Sequence, residues 1–253
     1  MNELQGRKAL ITGGAQGLGK AIAELFVQRG AYVMLADINE AGAARTASEL
    51  GPQARSIRCN VTVAGDFDKA VAATVDAFGA MDTLVNNAGI EIVKPLFEHS
   101  EEEFDRIMKI NVTGVFLGMK HSASALVASG RGVIVNMSSA AGTNGVPLFG
   151  AYAASKAGVL QLTRTAAAEL RPLGIRVNAV CPSFVDTEMV ERLIPTVEAI
   201  VGVPFSDLVA LKQGRLGTQL EVAEAVAYLA SDAASFTTGA EFLLDGGLSA
   251  SLL

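Results

Sequence analysis

Tyr152 and Lys156 stand four residues apart in the stretch GAYAASKAGV, a phenol and an ammonium among small neighbours. Four residues is one helical turn, so a helix here puts both side chains on one face. The pair is either the polar edge of an ordinary helix or a proton-transfer couple. A phenol has a reference pKa of about 10, too high for an efficient base near neutrality. An ammonium one turn away favours the phenolate and makes the second reading chemically sensible. What decides between them is the rest of the chain.

A second constellation lies at the other end. The run KALIT leads straight into TGGAQGLG, in which Gly13, Gly17 and Gly19 open a helical segment with Gln16 and Leu18 between them. Glycine lets a backbone turn sharply and approach a pyrophosphate, whose charge a helix N-terminus favours. A strand before the turn and a helix after it are the context that gives a glycine turn this meaning. The next β-rich run ends at Asp37, placed to accept hydrogen bonds from ribose hydroxyls and to repel a 2′-phosphate. Neither Gln16 nor Ile38 offsets that charge, so the dinucleotide expected is NAD rather than NADP.

The elements that would position these groups alternate. Short β-rich runs occur at 8–12, 31–36, 54–59, 81–87, 132–138, 174–180 and 241–245, and Ala- and Leu-rich segments of helical period at 17–29, 40–50, 64–78, 100–129, 151–171 and 221–230. This alternation predicts βαβ units and a parallel, doubly wound sheet of seven strands with helices on both faces. Residues 1–253 then form a single dinucleotide-binding catalytic domain. Between Ser183 and Gly217 the period is lost, and Pro195, Gly202, Pro204 and Gly214 interrupt it. An irregular insertion over about 183–217 is expected there, as a binding loop or a variable excursion.

Composition excludes several classes. The net charge is -6, which argues against a nucleic-acid groove. The start shows no apolar signal region, and no apolar run approaches the ~20 residues of a membrane span. Cys59 and Cys181 are far apart and build no disulfide framework, so a cytoplasmic location is expected. His99 and His121 have no metal-ligand spacing to other donors, so no metal is expected. Cys181 reads as a small buried thiol, although it ends a strand near the expected site.

TGGAQGLG, NNAG at 86–89, Asn111, the serine pair 138–139 and YAASK at 152–156 together resemble the short-chain dehydrogenase/reductase superfamily. The resemblance runs through TGAEFLLDGG near the end, and the length fits the family's ~250-residue type. It implies a Rossmann-type fold, hydride transfer with a nicotinamide cofactor and a homotetramer built partly on the two long helical segments. The C-terminal SASLL is a candidate for the second interface. By resemblance, Tyr152 is the general acid/base and Lys156 holds the nicotinamide ribose. The family's serine-to-tyrosine spacing selects Ser139 over Ser138, and Asn111 matches the asparagine that positions a water beside the lysine. Asn87, Ala88 and Gly89 line the adenosine ribose; Pro182, Val185 and Thr187 border the nicotinamide. Two positions depart from the pattern. Asn60, beside Val61, replaces the aspartate that reads the adenine amino group, with its carbonyl oxygen left to accept one bond. Ser183 stands where a glycine is expected.

Glu91 follows NNAGI, where the family often lines its substrate cleft; it either reads a polar group on the substrate or faces solvent. Ala141, Val146, Phe149, Phe184 and Met189 make the rest of the expected pocket apolar, and Arg192 and Lys212 are isolated. The substrate expected is a hydrophobic secondary alcohol or its ketone. Two alternatives stand beside it. One is an NADPH-dependent 3-ketoacyl-thioester reductase of the same family, which Asp37 and the acidic balance disfavour. The other is a non-catalytic dinucleotide sensor, which need not keep Ser139, Tyr152 and Lys156.

Overall fold

The computed structural model describes residues 3–250. Seven strands form one parallel sheet: β1 (Lys8–Thr12), β2 (Tyr32–Asp37), β3 (Ala54–Arg58), β4 (Thr83–Asn86), β5 (Val133–Met137), β6 (Arg176–Pro182) and β7 (Glu241–Leu244). Their order is β3-β2-β1-β4-β5-β6-β7, and every pairing is parallel. Successive residues of the central strands point to opposite faces, and both faces are apolar. Ile11, Leu35, Val85 and Val135 enter one core layer; Leu10, Met34, Leu84 and Ile134 enter the other. Burial on both sides is what the uninterrupted apolar runs required.

The first layer is closed by α1 (Gly17–Gln28), α2 (Glu40–Leu50) and α9 (Gln219–Ala230), through residues such as Phe26, Ala43 and Val226. Arg29 of the turn after α1 joins Glu224 of α9. The second is closed by α3 (Ala64–Phe78), α5 (Gly114–Ala128) and α6 (Gly150–Leu170), through Ala70, Met119 and Val159. Strand order reverses between β1 and β4, and this is where open α/β sheets bind ligands.

Two elements differ from the sequence expectation. The segment expected as one helix over 100–129 is α4 (Glu101–Met108), a π-turn (Lys109–Thr113) and α5. The extra residue per turn brings Asn111 inward, where it is fully buried. The stretch 183–217 is not irregular: it holds α7 (Glu188–Val201) and α8 (Phe205–Gln213). Thr187 caps α7 by accepting from the Val190 N–H. Val190, Leu193 and Val197 share its buried face and hold the helix through Pro195. Gly202 ends α7 in the left-handed region, and Pro204 sits before α8. All but Pro195 therefore mark helix ends.

The two ends of this segment are tied together. Val185 bridges Gly217, and the Gly217 N–H donates to Phe184 O at 3.0 Å. Among the described residues no single helix is long and apolar enough to cross a membrane. The apolar pair α7–α8 is bent by 95°, and its buried side chains Val190, Leu193, Val197, Phe205 and Val209 pack together with Phe149. Residues 251–253, in the proposed SASLL interface, lie outside the described residues.

Candidate active site

The C-terminal ends of β1, β2, β4, β5 and β6 open into a groove of about 440 Å³. Every residue expected to bind the dinucleotide lines it except Gly19. Gly19 lies beneath the turn: a Cβ there would sit 2.0 Å from Gly13 O. Gly13 has φ +68°, and a Cβ on it would sit 2.8 Å from Asn87 Nδ2. That amide braces the turn by donating to Thr12 O at 3.0 Å and Gly13 O at 3.2 Å. Thr12 Oγ1 in turn accepts from the N–H groups of Asn87 and Ala88. Gln16, the residue before α1, caps it with no side-chain bond, so the first turn's N–H groups face the groove without such a cap. A tight turn with no room for side chains and an uncapped twelve-residue helix fit a pyrophosphate.

At the outer end, Asp37 accepts from Ala15 N at 3.0 Å and Asn39 N at 2.8 Å. Both bonds fix the carboxylate, and among the described residues no lysine or arginine lines that end of the groove. Asn60 corrects an expectation. Its Oδ1 already accepts from Thr62 N at 3.0 Å and Thr62 Oγ1 at 2.9 Å. The carbonyl oxygen expected to receive an adenine amino group is occupied locally, which leaves the amide NH₂ as the group Asn60 can offer. Gln16 reaches across the groove mouth and donates to Glu188 at the start of α7, 2.9 Å away.

At the inner end, the two serines separate. Ser138 Oγ donates to Lys156 O at 2.9 Å and is committed to holding α6 on β5. Ser139 Oγ is hydrogen-bonded to Tyr152, donates to Pro182 O at 3.2 Å and accepts from Ala141 N. Lys156 is 5% exposed and donates to Met137 O at 2.8 Å. Its Nζ lies 5.5 Å from the centre of the Tyr152 ring. Burial pushes the Tyr152 phenol up to about 12, outweighing the lowering by its bond to Ser139. Burial also pushes Lys156 down to about 8. The simple expectation that Lys156 makes the tyrosine acidic is not met by the protein alone. The ammonium lies over the ring and is directed at a carbonyl, and the apolar surroundings oppose both charges.

This gives a stability prediction. Lys156 has a lower pKa folded than unfolded, so its burial destabilises the fold fully below about pH 8, and the penalty lifts as pH rises from about 8 toward 10.5. The stability of wild type relative to Lys156→Met should therefore rise by roughly 2–3 kcal/mol between neutral pH and pH 10.5, read by urea unfolding of both proteins. A difference independent of pH would mean that the ammonium is not buried.

Asn111 does not line the groove. Its Oδ1 accepts from Ile90 N at 2.9 Å, and its Nδ2 donates to Ile90 O and to Ser155 Oγ. The side chain acts by tying the NNAG loop to the π-turn and to α6, which is a positioning role. Cys181 is fully buried against Leu160 and Ala179, and burial raises its thiol to about 12. His99 is half-buried, and His121 Nδ1 lies 2.6 Å from Asp68 Oδ1; neither lines the groove. Among the described residues no group of three or more His, Cys, Asp or Glu could hold a metal.

A second cavity of about 110 Å³ adjoins the groove. All six expected substrate residues line it: Glu91, Ala141, Val146, Phe149, Phe184 and Met189. Ser139 and Tyr152 line both spaces, so they stand where the two meet. Sequence reasoning missed Leu248, brought there from the far end of the chain, and, behind the cavity wall, Gln213. Gln213 is buried and latches α8 to β6. It accepts from Ser183 Oγ at 2.7 Å and Phe184 N at 3.2 Å, and donates to Phe184 O and Arg215 O. The serine that replaces the expected glycine thus has a partner 30 residues away. Gln213→Leu leaves these groups unpaired and should cost about 1–3 kcal/mol, with a raised KM for alcohol as the α7–α8 wall of the second cavity loosens. Urea unfolding and steady-state kinetics read both effects.

A family profile described as enoyl-(acyl carrier protein) reductase matches residues 13–249. Curated relatives match across nearly their whole length. A 2,5-dichloro-2,5-cyclohexadiene-1,4-diol dehydrogenase of Sphingobium indicum is 41% identical over 99% of this chain and 100% of its own. A cis-4-hydroxycyclohexanecarboxylate dehydrogenase of Sinomonas cyclohexanicum is 43% identical over 96% and 97%. A 3-alpha-(or 20-beta)-hydroxysteroid dehydrogenase of Mycobacterium bovis is 39% identical over 98% and 92%. The chain belongs to the short-chain dehydrogenase/reductase superfamily. Within it, it is an alcohol dehydrogenase acting on CH–OH groups with a nicotinamide dinucleotide.

Proposed function

We propose that the chain is an NAD-dependent dehydrogenase of small, largely apolar secondary alcohols, working in the oxidative direction. The carrying observation is the meeting of Ser139 and Tyr152 at the junction of the two cavities, with Lys156 beneath them. The preference for NAD rests on the fixed Asp37 carboxylate and the absence of a cation beside it. Two of the relatives named above are named for alcohols on a six-membered ring and the third for a hydroxysteroid, and the small second cavity favours a single ring over a steroid.

In this reading an oxidised nicotinamide held between Pro182, Val185 and Thr187 and the Tyr152–Lys156 pair would supply the hydride acceptor and a positive charge. The residues move and hold the proton. Ser139 hydrogen-bonds the alcohol oxygen and sets it against the Tyr152 hydroxyl. Tyr152, as phenolate, takes the O–H proton while the C–O bond becomes a carbonyl. In reduction the same phenol returns the proton. Lys156 supplies a cation under the ring, and with the nicotinamide's charge opposes the burial that keeps the phenol neutral. Asn111 holds the loop and helix that carry these groups.

Incubating the protein with NAD⁺ and cyclic, benzylic and open-chain secondary alcohols tests the reading. NADH and the matching ketone should form in equal amounts. Tight NADH binding without turnover of any alcohol would favour a sensor.

We place the protein in the cytoplasm, where its two free, buried cysteines suit reducing conditions. It acts there as a homotetramer. Phe104 and Phe116 on the α4–α5 face, and Phe236, Phe242 and Leu243 around β7, expose apolar surface that partner subunits would cover. Light scattering on the purified chain tests the tetramer.

A further inference from the structure

The second cavity is lined almost wholly by apolar or small side chains: Val146, Phe149, Phe184, Met189 and Leu193 form most of its wall. One charged side chain lines it, that of Glu91. A carboxylate in such a wall needs a reason. Its own backbone N–H is the one hydrogen-bonding group that acts on it among the described residues. Arg192 and Lys156 act on it only through space. The NNAG loop that carries it is held rigidly, because Asn111 bonds both the N–H and the C=O of Ile90, the residue just before it. Glu91 is therefore held in place, half-buried and under-used, at the wall of the space next to Ser139 and Tyr152. Burial raises its pKa.

We propose that Glu91 is a specificity-determining residue that accepts a hydrogen bond from a second hydroxyl of the substrate, making the enzyme a dehydrogenase of small cyclic diols. This rests on the alcohol-dehydrogenase reading above and narrows it. One hydroxyl lies at Ser139 and Tyr152 and is oxidised. The other, across a ring-sized apolar frame, donates to Glu91. An apolar alcohol covers the half-buried carboxyl group and gives it no new donor, and an acid in the same place sets two carboxylates against each other. Both are disfavoured for physical reasons.

The test compares cyclohexane-1,4-diol, cyclohexanol and 4-hydroxycyclohexanecarboxylate with NAD⁺. Wild type should favour the diol over cyclohexanol by about 10- to 100-fold in kcat/KM, mostly through KM. In Glu91→Met, which keeps length and removes the acceptor, that ratio should fall to within about 3-fold of unity. Glu91→Gln keeps an acceptor and removes the charge. It should retain most of the diol preference and raise the hydroxy acid relative to the diol by about 10-fold, so it carries the test should the Met variant not fold. A wild type that oxidises cyclohexanol as well as the diol overturns the role of Glu91 and leaves the alcohol-dehydrogenase reading standing. So does a diol preference that survives Glu91→Met, or a Glu91→Gln variant with unchanged ratios. A wild type that oxidises none of the three, nor any other secondary alcohol, overturns both.

Discussion

Tyr152→Phe is expected to lower kcat for alcohol oxidation by about 10²- to 10⁴-fold, the usual worth of a positioned acid/base. NADH affinity should stay within about 3-fold of wild type, because binding does not need the phenol's proton. The fold should survive. The phenylalanine keeps the edge contact with the Phe149 ring, whose centre is 6.3 Å from that of residue 152. Ser139 keeps its bonds to Pro182 O and Ala141 N after losing the phenol. The pH profile separates a proton-transfer role from a packing role. The phenol is held neutral by burial, so wild-type oxidation should accelerate with rising pH until the phenolate forms. In Tyr152→Phe that rise should disappear along with most of the rate. A variant that keeps full turnover, or keeps the same pH limb, would remove Tyr152 from the proton path.

The second large effect concerns the cofactor. Asp37→Ser should reduce kcat/KM for NAD⁺ by about 10- to 100-fold, the loss of hydrogen bonds to a charged group. The same change should raise kcat/KM for NADP⁺, because the repulsion of a 2′-phosphate goes with the carboxylate. The substitution also replaces the two oxygens that accept from the Ala15 and Asn39 N–H groups by one hydroxyl on a shorter side chain, so a loosened turn would mimic the first effect. Asp37→Asn keeps one of the two oxygen acceptors and loses the charge, so it loosens the turn less for the same loss of charge. If charge is the cause, Asn also narrows the gap between NAD⁺ and NADP⁺. If both variants weaken both dinucleotides equally, Asp37 supports the turn and does not select the cofactor.

Much of this site can be read in the chain because its parts are local. A glycine turn, an acidic strand end and a Tyr–Lys pair one helical turn apart each carry their geometry in their spacing. The sheet is legible for a similar reason: strands buried on both faces leave unbroken apolar runs. What escapes has two causes. Some features depend on which residues win a local competition. Pro195 and the glycines of 183–217 resemble breakers, yet Val190, Leu193 and Val197 hold a helix across the proline. Asn60 has the right side chain for adenine, but Thr62 two residues on takes its oxygen. Others depend on long-range contact. The latch between Ser183 and Gln213, the inward turn of Asn111 at the π-turn and the arrival of Leu248 at the cavity have no periodic signal. The phenol's high pKa belongs to this group too, because it follows from burial and not from the neighbour in sequence.

The most direct test of the account follows the hydrogen itself. The protein is incubated with NAD⁺ and a secondary alcohol carrying deuterium on the carbinol carbon, cyclohexane-1,4-diol first, and the products are read by mass spectrometry and NMR. The account predicts one deuterium at C4 of the reduced nicotinamide for each ketone formed, with Tyr152→Phe suppressing both together. Ketone without deuterium on the nicotinamide, or no ketone from any alcohol while NADH still binds, would contradict it.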